Sequence, residues 1–108
     1  MYKIKIISLE GCPFSMAAEK FFNEKKIQFK LLKVNQQNKD EYKINLKTFP
    51  QIYLLNSKKE LLLGGFNNIQ EINQNIYKVN VDSCMEYLNN KFSNFSRKDK
   101  LRLIEIFN

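Results

Sequence analysis

One segment near the start of the chain constrains the fold most, because it joins a predicted strand to a predicted helix through a cysteine. Isoleucines recur with a period of two in residues 2–9, which predicts a strand. Gly11 ends this pattern, and Pro13 suits the first turn of a helix, where its missing N–H is not needed. Apolar residues then recur at helical spacing, so Cys12 lies at the N-terminal end of the predicted helix.

The position of Cys12 predicts a reactive thiol. Only a thiolate is nucleophilic, and the unpaired N–H groups at a helix N-terminus stabilise that anion. The chain has no histidine, which excludes Ser-His-Asp and Cys-His catalysis as well as histidine-ligated zinc. The helix would therefore take the place of an imidazole in ionising Cys12. A cysteine that merely caps a buried helix is the alternative interpretation of a lone C-x-x-S pattern.

Ser15 lies one helical turn after Cys12, where its hydroxyl could donate a hydrogen bond to the sulfur. A cysteine at this position would close an intramolecular disulfide during turnover, whereas a serine cannot. An external thiol must then resolve any mixed disulfide on Cys12. The motif therefore predicts thiol exchange through a single cysteine.

The remaining elements follow from hydrophobic period and from turn residues. We predict a strand at 27–35, a short helix at 39–46, strands at 51–56 and 60–65, and helices at 67–76, 81–92 and 96–107. Ser96 and Asp99 fit a capping box at the start of the last helix. An early crossover followed by a late hairpin predicts an α/β fold with a four-stranded mixed sheet flanked by helices.

No linker or repeat divides the sequence, so residues 1–108 are predicted to form one domain, with a core at 1–76 and a helical extension at 77–108. The formal net charge is +7, but the lysines are scattered, so we expect no nucleic-acid partner. No segment has the ~20 apolar residues of a membrane span, and no signal-peptide pattern is present. Two cysteines without a disulfide framework favour a reducing, cytoplasmic compartment.

Three segments, in this order, resemble the glutaredoxin family of the thioredoxin fold: the first strand with GCPFS, then KTFPQIYLLN, then LLLGGFNNIQEI. Together they cover about residues 2–76. The resemblance implies a thioredoxin-like fold with a C-terminal helical extension, and an enzyme that uses glutathione. It places Cys12 as the nucleophile and Ser15 as its hydrogen-bond donor.

The resemblance also implies a glutathione site. Thr48, Phe49 and Pro50 stand at the family's Thr-Val-Pro segment, which implies a cis Phe49–Pro50 bond and backbone contacts from Phe49 to the cysteinyl part of glutathione. The glycine pair and the residues after it match the element that binds the γ-glutamyl end. The full set of implied glutathione-binding residues is Pro13, Phe14, Lys47, Thr48, Phe49, Pro50, Gly64, Gly65, Phe66, Asn67 and Asn68.

Two features depart from the family pattern. Leu9 and Glu10 stand where glutathione-using members commonly carry a lysine shortly before the cysteine, and Lys47 is the candidate substitute. The TFPQIY stretch is close to that of monothiol members, which bind a [2Fe–2S] cluster with glutathione between two subunits. Pro13 replaces the glycine of their motif and stiffens the loop, so cluster binding is the less favoured alternative, with Cys12 as its only ligand in this chain.

The sequence thus predicts a glutathione-linked thiol–disulfide oxidoreductase of monothiol mechanism. Glutathione and glutathionylated or disulfide-containing proteins are the expected partners, and the expected state is a monomer, or a cluster-bridged dimer under the alternative. A second alternative is a redox-inactive binding module with the same fold. Cys84 is expected to be a buried apolar residue.

Overall fold

The computed structural model describes residues 2–57, 59–76 and 80–108. The chain divides into two compact units, of which the first ends at Ile69 and the second begins at Gln70. The predicted division between core and extension falls at Tyr77, which lies outside the described residues, and the single-domain organisation stays a prediction. No helix among the described residues is long and apolar enough to cross a membrane.

The first unit contains a four-stranded mixed sheet, as the sequence predicts. Its strands are β1 (Lys3–Leu9), β2 (Phe29–Val34), β3 (Gln51–Leu55) and β4 (Glu60–Gly64), in the spatial order β2-β1-β3-β4. β1 pairs with β2 in parallel and with β3 antiparallel, and β4 pairs antiparallel with β3. The parallel pair needs a crossover, which α1 (Pro13–Glu24) supplies.

One face of this sheet packs against α1. Ile4 and Ile6 are buried on this face, opposite Leu54 and Ile52 of β3. The buried hydroxyl of Ser8 follows on the same face and donates a hydrogen bond of 2.6 Å to a carboxylate oxygen of Glu19 in α1. The strand predicted from the isoleucine pattern is therefore confirmed, with Ile4 and Ile6 buried on one face.

The opposite face of the sheet carries a second apolar cluster. Its buried members are Ile7, Val34 and Tyr53, and Tyr42 and Phe49 pack against them from the connection between β2 and β3. This connection contains a 3₁₀ helix, Lys39–Tyr42, and then no regular structure before β3. The prediction of a helix over 39–46 is therefore wrong beyond Tyr42.

A nonlocal contact explains why that helix stops. The carbonyl oxygens of Tyr42 and Leu46 accept hydrogen bonds from the side-chain amide of Gln51, at 2.8 and 2.7 Å. In a helix over 39–46 the Tyr42 carbonyl would instead bond to the Leu46 N–H, whereas the Leu46 carbonyl would have no partner within the helix. The strand β2 also begins two residues later than predicted, because the Ile27 N–H bonds to the carbonyl of Phe22 and closes the end of α1.

The helix α2 (Phe66–Ile76) begins in the first unit and continues into the second, which also contains α3 (Val81–Lys91) and α4 (Arg97–Phe107). The α4 helix begins with the predicted capping box: the Asp99 N–H donates to the Ser96 hydroxyl, and the Ser96 N–H donates to the Asp99 carboxylate. Apolar side chains of α3 and α4 are buried, among them Leu88, Leu103 and Phe107.

Candidate active site

Cys12 is the N-cap residue of α1, with an extended backbone (φ −88°, ψ 119°). Its carbonyl accepts a hydrogen bond of 3.1 Å from the Met16 N–H and so starts the helix, while its own N–H donates to the Leu9 carbonyl at 3.1 Å. Gly11, at φ +77°, supplies the left-handed conformation that turns the chain from β1 into α1. These local bonds hold the partly exposed thiol at the positive end of α1.

A second segment lies directly against this thiol. The Cys12 Sγ is 3.9 Å from the carbonyl oxygen of Phe49, and the Phe49–Pro50 peptide bond is cis, the geometry that the family resemblance implies. Pro50 is buried and immediately precedes β3. The loop before β3 therefore forms one side of the site.

A groove of about 290 Å³ runs along this loop. It extends from Phe14 in the first turn of α1, whose side chain is 59% exposed, to the first turn of α2. Its lining residues are Phe14, Leu46, Thr48, Phe49, Pro50, Gly65, Phe66, Asn67 and Asn68. The groove thus joins the surroundings of Cys12 to a second helix N-terminus within the first unit.

The start of α2 is ordered by its own side chains. Asn68 Oδ1 accepts a hydrogen bond of 2.9 Å from the Gly65 N–H, which is half of a capping box. Gly64 has φ +124°, and a Cβ there would lie 2.5 Å from the Asn68 side chain, so only glycine fits. Backbone N–H groups in the first turn of a helix have no intrahelical partner and can bind an anion.

The hydroxyl of Ser15 makes a hydrogen bond that the sequence did not predict. Its buried hydroxyl oxygen accepts a hydrogen bond of 3.1 Å from the Leu9 N–H, which fastens α1 to the end of β1. This bond uses the oxygen and leaves the hydroxyl proton for donation. A hydrogen bond from Ser15 to the Cys12 sulfur stays a prediction.

These features agree with the comparison with known proteins. The glutaredoxin family model matches residues 4–58, just over half of the 108 residues. The chain belongs to the glutaredoxin family. A similar solved structure is glutaredoxin 1 from Francisella tularensis, a complex with cacodylate, at 24% identity and a TM-score of 0.56 over 71% of this chain and 98% of that one. No curated protein sequence gave a significant match.

Family and fold together give this glutaredoxin a thioredoxin-like fold and a thiol–disulfide oxidoreductase type of function. Members of the family generally use glutathione. Most of the predicted glutathione-binding residues line the groove, whereas Pro13, Lys47 and Gly64 do not. The Lys47 side chain is exposed beside Thr48, and a Cβ at Gly64 would collide with the side chain of Asn68, which does line the groove. The roles of all these residues remain predictions.

The sequence did not identify two contributors to this glutaredoxin's groove. Leu46 lines it directly, and Gln51 is completely buried behind it with hydrogen bonds to the loop. The sequence contains only a weak indication of the role of Gln51: it is a polar residue at the start of a strand that is otherwise apolar. Nothing in the local sequence shows which loop carbonyls its amide meets.

Cys84 contrasts with Cys12 in its burial. Its side chain is 2% exposed, and its sulfur lies 3.5 Å from the carbonyl oxygen of Ile76 and 3.6 Å from that of Asn75. The predicted burial of Cys84 is confirmed, and the thiol is free. A buried thiol bonded to carbonyls has little access to a disulfide substrate.

A larger cavity, of about 620 Å³, lies at the other end of β1, where the strand begins. Three of its lining residues are lysines, Lys3, Lys26 and Lys30, and it contains no cysteine. The C-terminal end of α1 also lies here, and cations are favourable at the negative end of a helix dipole. The negative end of α1 thus gives a structural reason for part of the lysine cluster. Because this cavity has no cysteine, we assign the chemistry to the smaller groove beside Cys12.

An iron–sulfur cluster fits these residues poorly. A [2Fe–2S] cluster takes four ligands, usually thiolates, and Cys12 is the one partly exposed cysteine in this chain, so glutathione thiols and a second subunit would have to supply the other three. Among residues 2–57, 59–76 and 80–108, no group of three or more histidine, cysteine, aspartate or glutamate side chains is placed to hold a metal ion. We therefore derive no step through a cluster.

Proposed function

We propose that this protein is a glutathione-linked thiol–disulfide oxidoreductase that acts through Cys12 alone. The strongest support is the groove, because it starts beside the loop carbonyl nearest to the Cys12 sulfur and ends at the first turn of α2. Glutathione is an extended tripeptide with a thiol near its middle and a carboxylate at each end. Cys12 is not among the lining residues, but Phe49 is, and its carbonyl oxygen lies 3.9 Å from the Cys12 sulfur. A groove that begins next to a thiol and ends at a helix N-terminus able to bind an anion suits such a ligand.

Different groups around the groove would bind different parts of glutathione. The Phe49 backbone would bind the cysteinyl unit, which places the glutathione sulfur near Cys12. The N–H groups in the first turn of α2 would bind the γ-glutamyl carboxylate. The exposed ammonium of Lys47 would attract the glycyl carboxylate, in place of the lysine that other members carry before the cysteine.

The reaction proceeds by two exchanges of one disulfide bond. The Cys12 thiolate attacks the glutathione sulfur of a protein–glutathione mixed disulfide, a new S–S bond forms, and the protein thiolate leaves and takes up a proton. A second glutathione, as its thiolate, then attacks the glutathione sulfur bound to Cys12. Glutathione disulfide leaves, and the Cys12 thiolate is restored. In total, the mixed disulfide and one glutathione thiol become the protein thiol and glutathione disulfide, so one disulfide bond is exchanged for another and the second glutathione of the product comes from the substrate itself.

Ser15 enforces this single-cysteine sequence. Ser15 stands at the position in the sequence where a second cysteine would resolve the Cys12 adduct, and a hydroxyl does not exchange with disulfides. The adduct therefore waits for free glutathione. The same hydroxyl proton is available to stabilise the Cys12 thiolate when it leaves in the second step.

The direct test is the turnover of a glutathionylated peptide with reduced glutathione in excess, coupled to glutathione reductase. We expect Cys12→Ser to lose at least about a hundredfold in rate, because a hydroxyl cannot replace the nucleophile. The matched variant Cys84→Ser should retain at least half of the wild-type rate. Substantial turnover by Cys12→Ser would exclude the proposed function.

A further inference from the structure

The loop that forms one wall of the groove has no regular structure of its own. Residues 43–50 belong to neither helix nor strand, yet they supply Leu46, Thr48 and Phe49 to the lining. They also carry Lys47. Such a segment has many backbone groups without a ladder partner, so something outside it must fix its conformation.

Gln51 supplies the fixing contacts. Its Nε2 donates hydrogen bonds to the carbonyl oxygens of Tyr42, at 2.8 Å, and Leu46, at 2.7 Å, and its Oε1 accepts one of 2.7 Å from the Tyr53 hydroxyl. Two carbonyls on one side and a hydroxyl donor on the other determine which way the amide points. Both amide protons are used, and the side chain is fully buried.

The position of Gln51 in the chain makes this network specific to the groove. Gln51 directly follows Pro50, and it spans back across the loop to bond at both ends of residues 42–46. Tyr53, two residues further along β3, lies on the same face of the sheet and holds the amide from the other side. The amide thus links a rigid strand to the irregular wall of the binding site.

We propose that Gln51 is a positioning residue that preorganises the loop wall for glutathione, a role that depends on the proposed glutathione site. A loop fixed before binding loses less conformational entropy when the ligand arrives. Loss of the amide leaves two carbonyls without their partners and frees the loop, which weakens binding. The Cys12 backbone is held by bonds to Leu9 and Met16. Phe49, whose carbonyl lies 3.9 Å from the Cys12 sulfur, is joined to β3 through the buried Pro50 and accepts no bond from Gln51, so we expect the reactivity of the thiol to change little.

Two variants separate this positioning role from a general role in stability. Gln51→Met keeps the approximate volume of the side chain and removes both bonds to the loop. Tyr53→Phe removes a buried hydrogen bond from the same network but leaves both loop bonds in place. Gln51→Asn, which keeps the amide but is one methylene shorter, replaces Gln51→Met if that variant does not fold.

The decisive readout is the division of the effect between KM and kcat for a glutathionylated peptide. Gln51→Met should raise KM about tenfold, the effect of losing roughly 1.4 kcal/mol of binding, and leave kcat within about twofold. Tyr53→Phe should change KM by less than about twofold. Iodoacetamide should alkylate Cys12 at the same rate in all three proteins. An unchanged KM in Gln51→Met, or an equal rise in both variants, would overturn the proposal.

Amide hydrogen exchange of residues 43–48 keeps the loop's dependence on Gln51 testable even if the proposed function fails. A wild-type protein that does not act on glutathione mixed disulfides would exclude the function and leave no KM to compare. Exchange in this loop should still be at least about tenfold faster in Gln51→Met and unchanged in Tyr53→Phe. Equal exchange in wild type and Gln51→Met would show that Gln51 does not fix the loop.

Discussion

The two units of this protein each hold one cysteine and treat it in opposite ways. Cys12 ends a strand–turn connection, caps a helix and lies beside an open groove. Cys84 lies within α3, is buried, and bonds to the carbonyl oxygens of two residues at the end of α2. Both sulfurs lie near backbone carbonyl oxygens, but only Cys12 is partly exposed, at the N-terminus of a helix. The difference teaches that exposure, and not the kind of atom nearest to the sulfur, separates the two thiols.

The largest effect on stability is expected at Gly64 in the first unit, because no side chain fits at this position. Gly64→Ala should lower the free energy of unfolding by about 2 kcal/mol or more, because its Cβ would lie 2.5 Å from the Asn68 side chain at φ +124°. The Asn68 side chain must then move and lose its bond to Gly65. Urea denaturation measures the change.

Gly11→Ala is the matched control for Gly64→Ala. Gly11 also has a positive φ, of +77°, but a Cβ added there would meet no heavy atom within 4 Å beyond its chain neighbours, so only the backbone strain of about 1–2 kcal/mol applies. Equal costs at the two glycines would mean that the contact with Asn68 does not matter. If the added variant Asn68→Ala restores part of the stability that Gly64→Ala loses, the loss is due to the contact with Asn68.

A smaller effect is expected in the second unit, at Tyr87. Partial burial and the neighbouring carboxylate of Glu71 raise the pKa of Tyr87 from 10.0 to about 12. The unfolded chain therefore loses this proton first, so the contribution of Tyr87 to stability is complete below pH 10 and is lost as the pH rises to about 12. The stability difference between wild type and Tyr87→Phe should shrink over this range in urea denaturation. A difference that stays constant from about pH 9 to 12 would contradict the raised pKa.

The sequence predicted the elements whose causes are local. The strand–helix unit around Cys12 follows from Gly11 and Pro13, and the start of α4 follows from Ser96 and Asp99, since each signal acts within a few residues. The groove residues came instead from family resemblance. Their assembly depends on contacts between distant segments, and a single sequence does not display these.

The wrong helix prediction and one contact that the sequence did not predict have the same origin. The helix predicted over 39–46 has an acceptable local sequence, but the buried amide of Gln51 takes two of its carbonyls from across the loop. The hydrogen bond from the Leu9 N–H to Ser15 also joins residues in different elements. Side-chain bonds to backbone groups outside their own element were therefore the main information missing from the sequence.

The most direct test of the contrast between the two cysteines is peptide mapping by mass spectrometry after the native protein is incubated with glutathione disulfide. Glutathione should be found on Cys12 as a single adduct that reduced glutathione removes, and Cys84 should remain unmodified until the protein is denatured. This result would support a single accessible thiol beside a glutathione groove. A native protein with no adduct on Cys12, or with the adduct on Cys84, would contradict the account and favour a redox-inactive binding module.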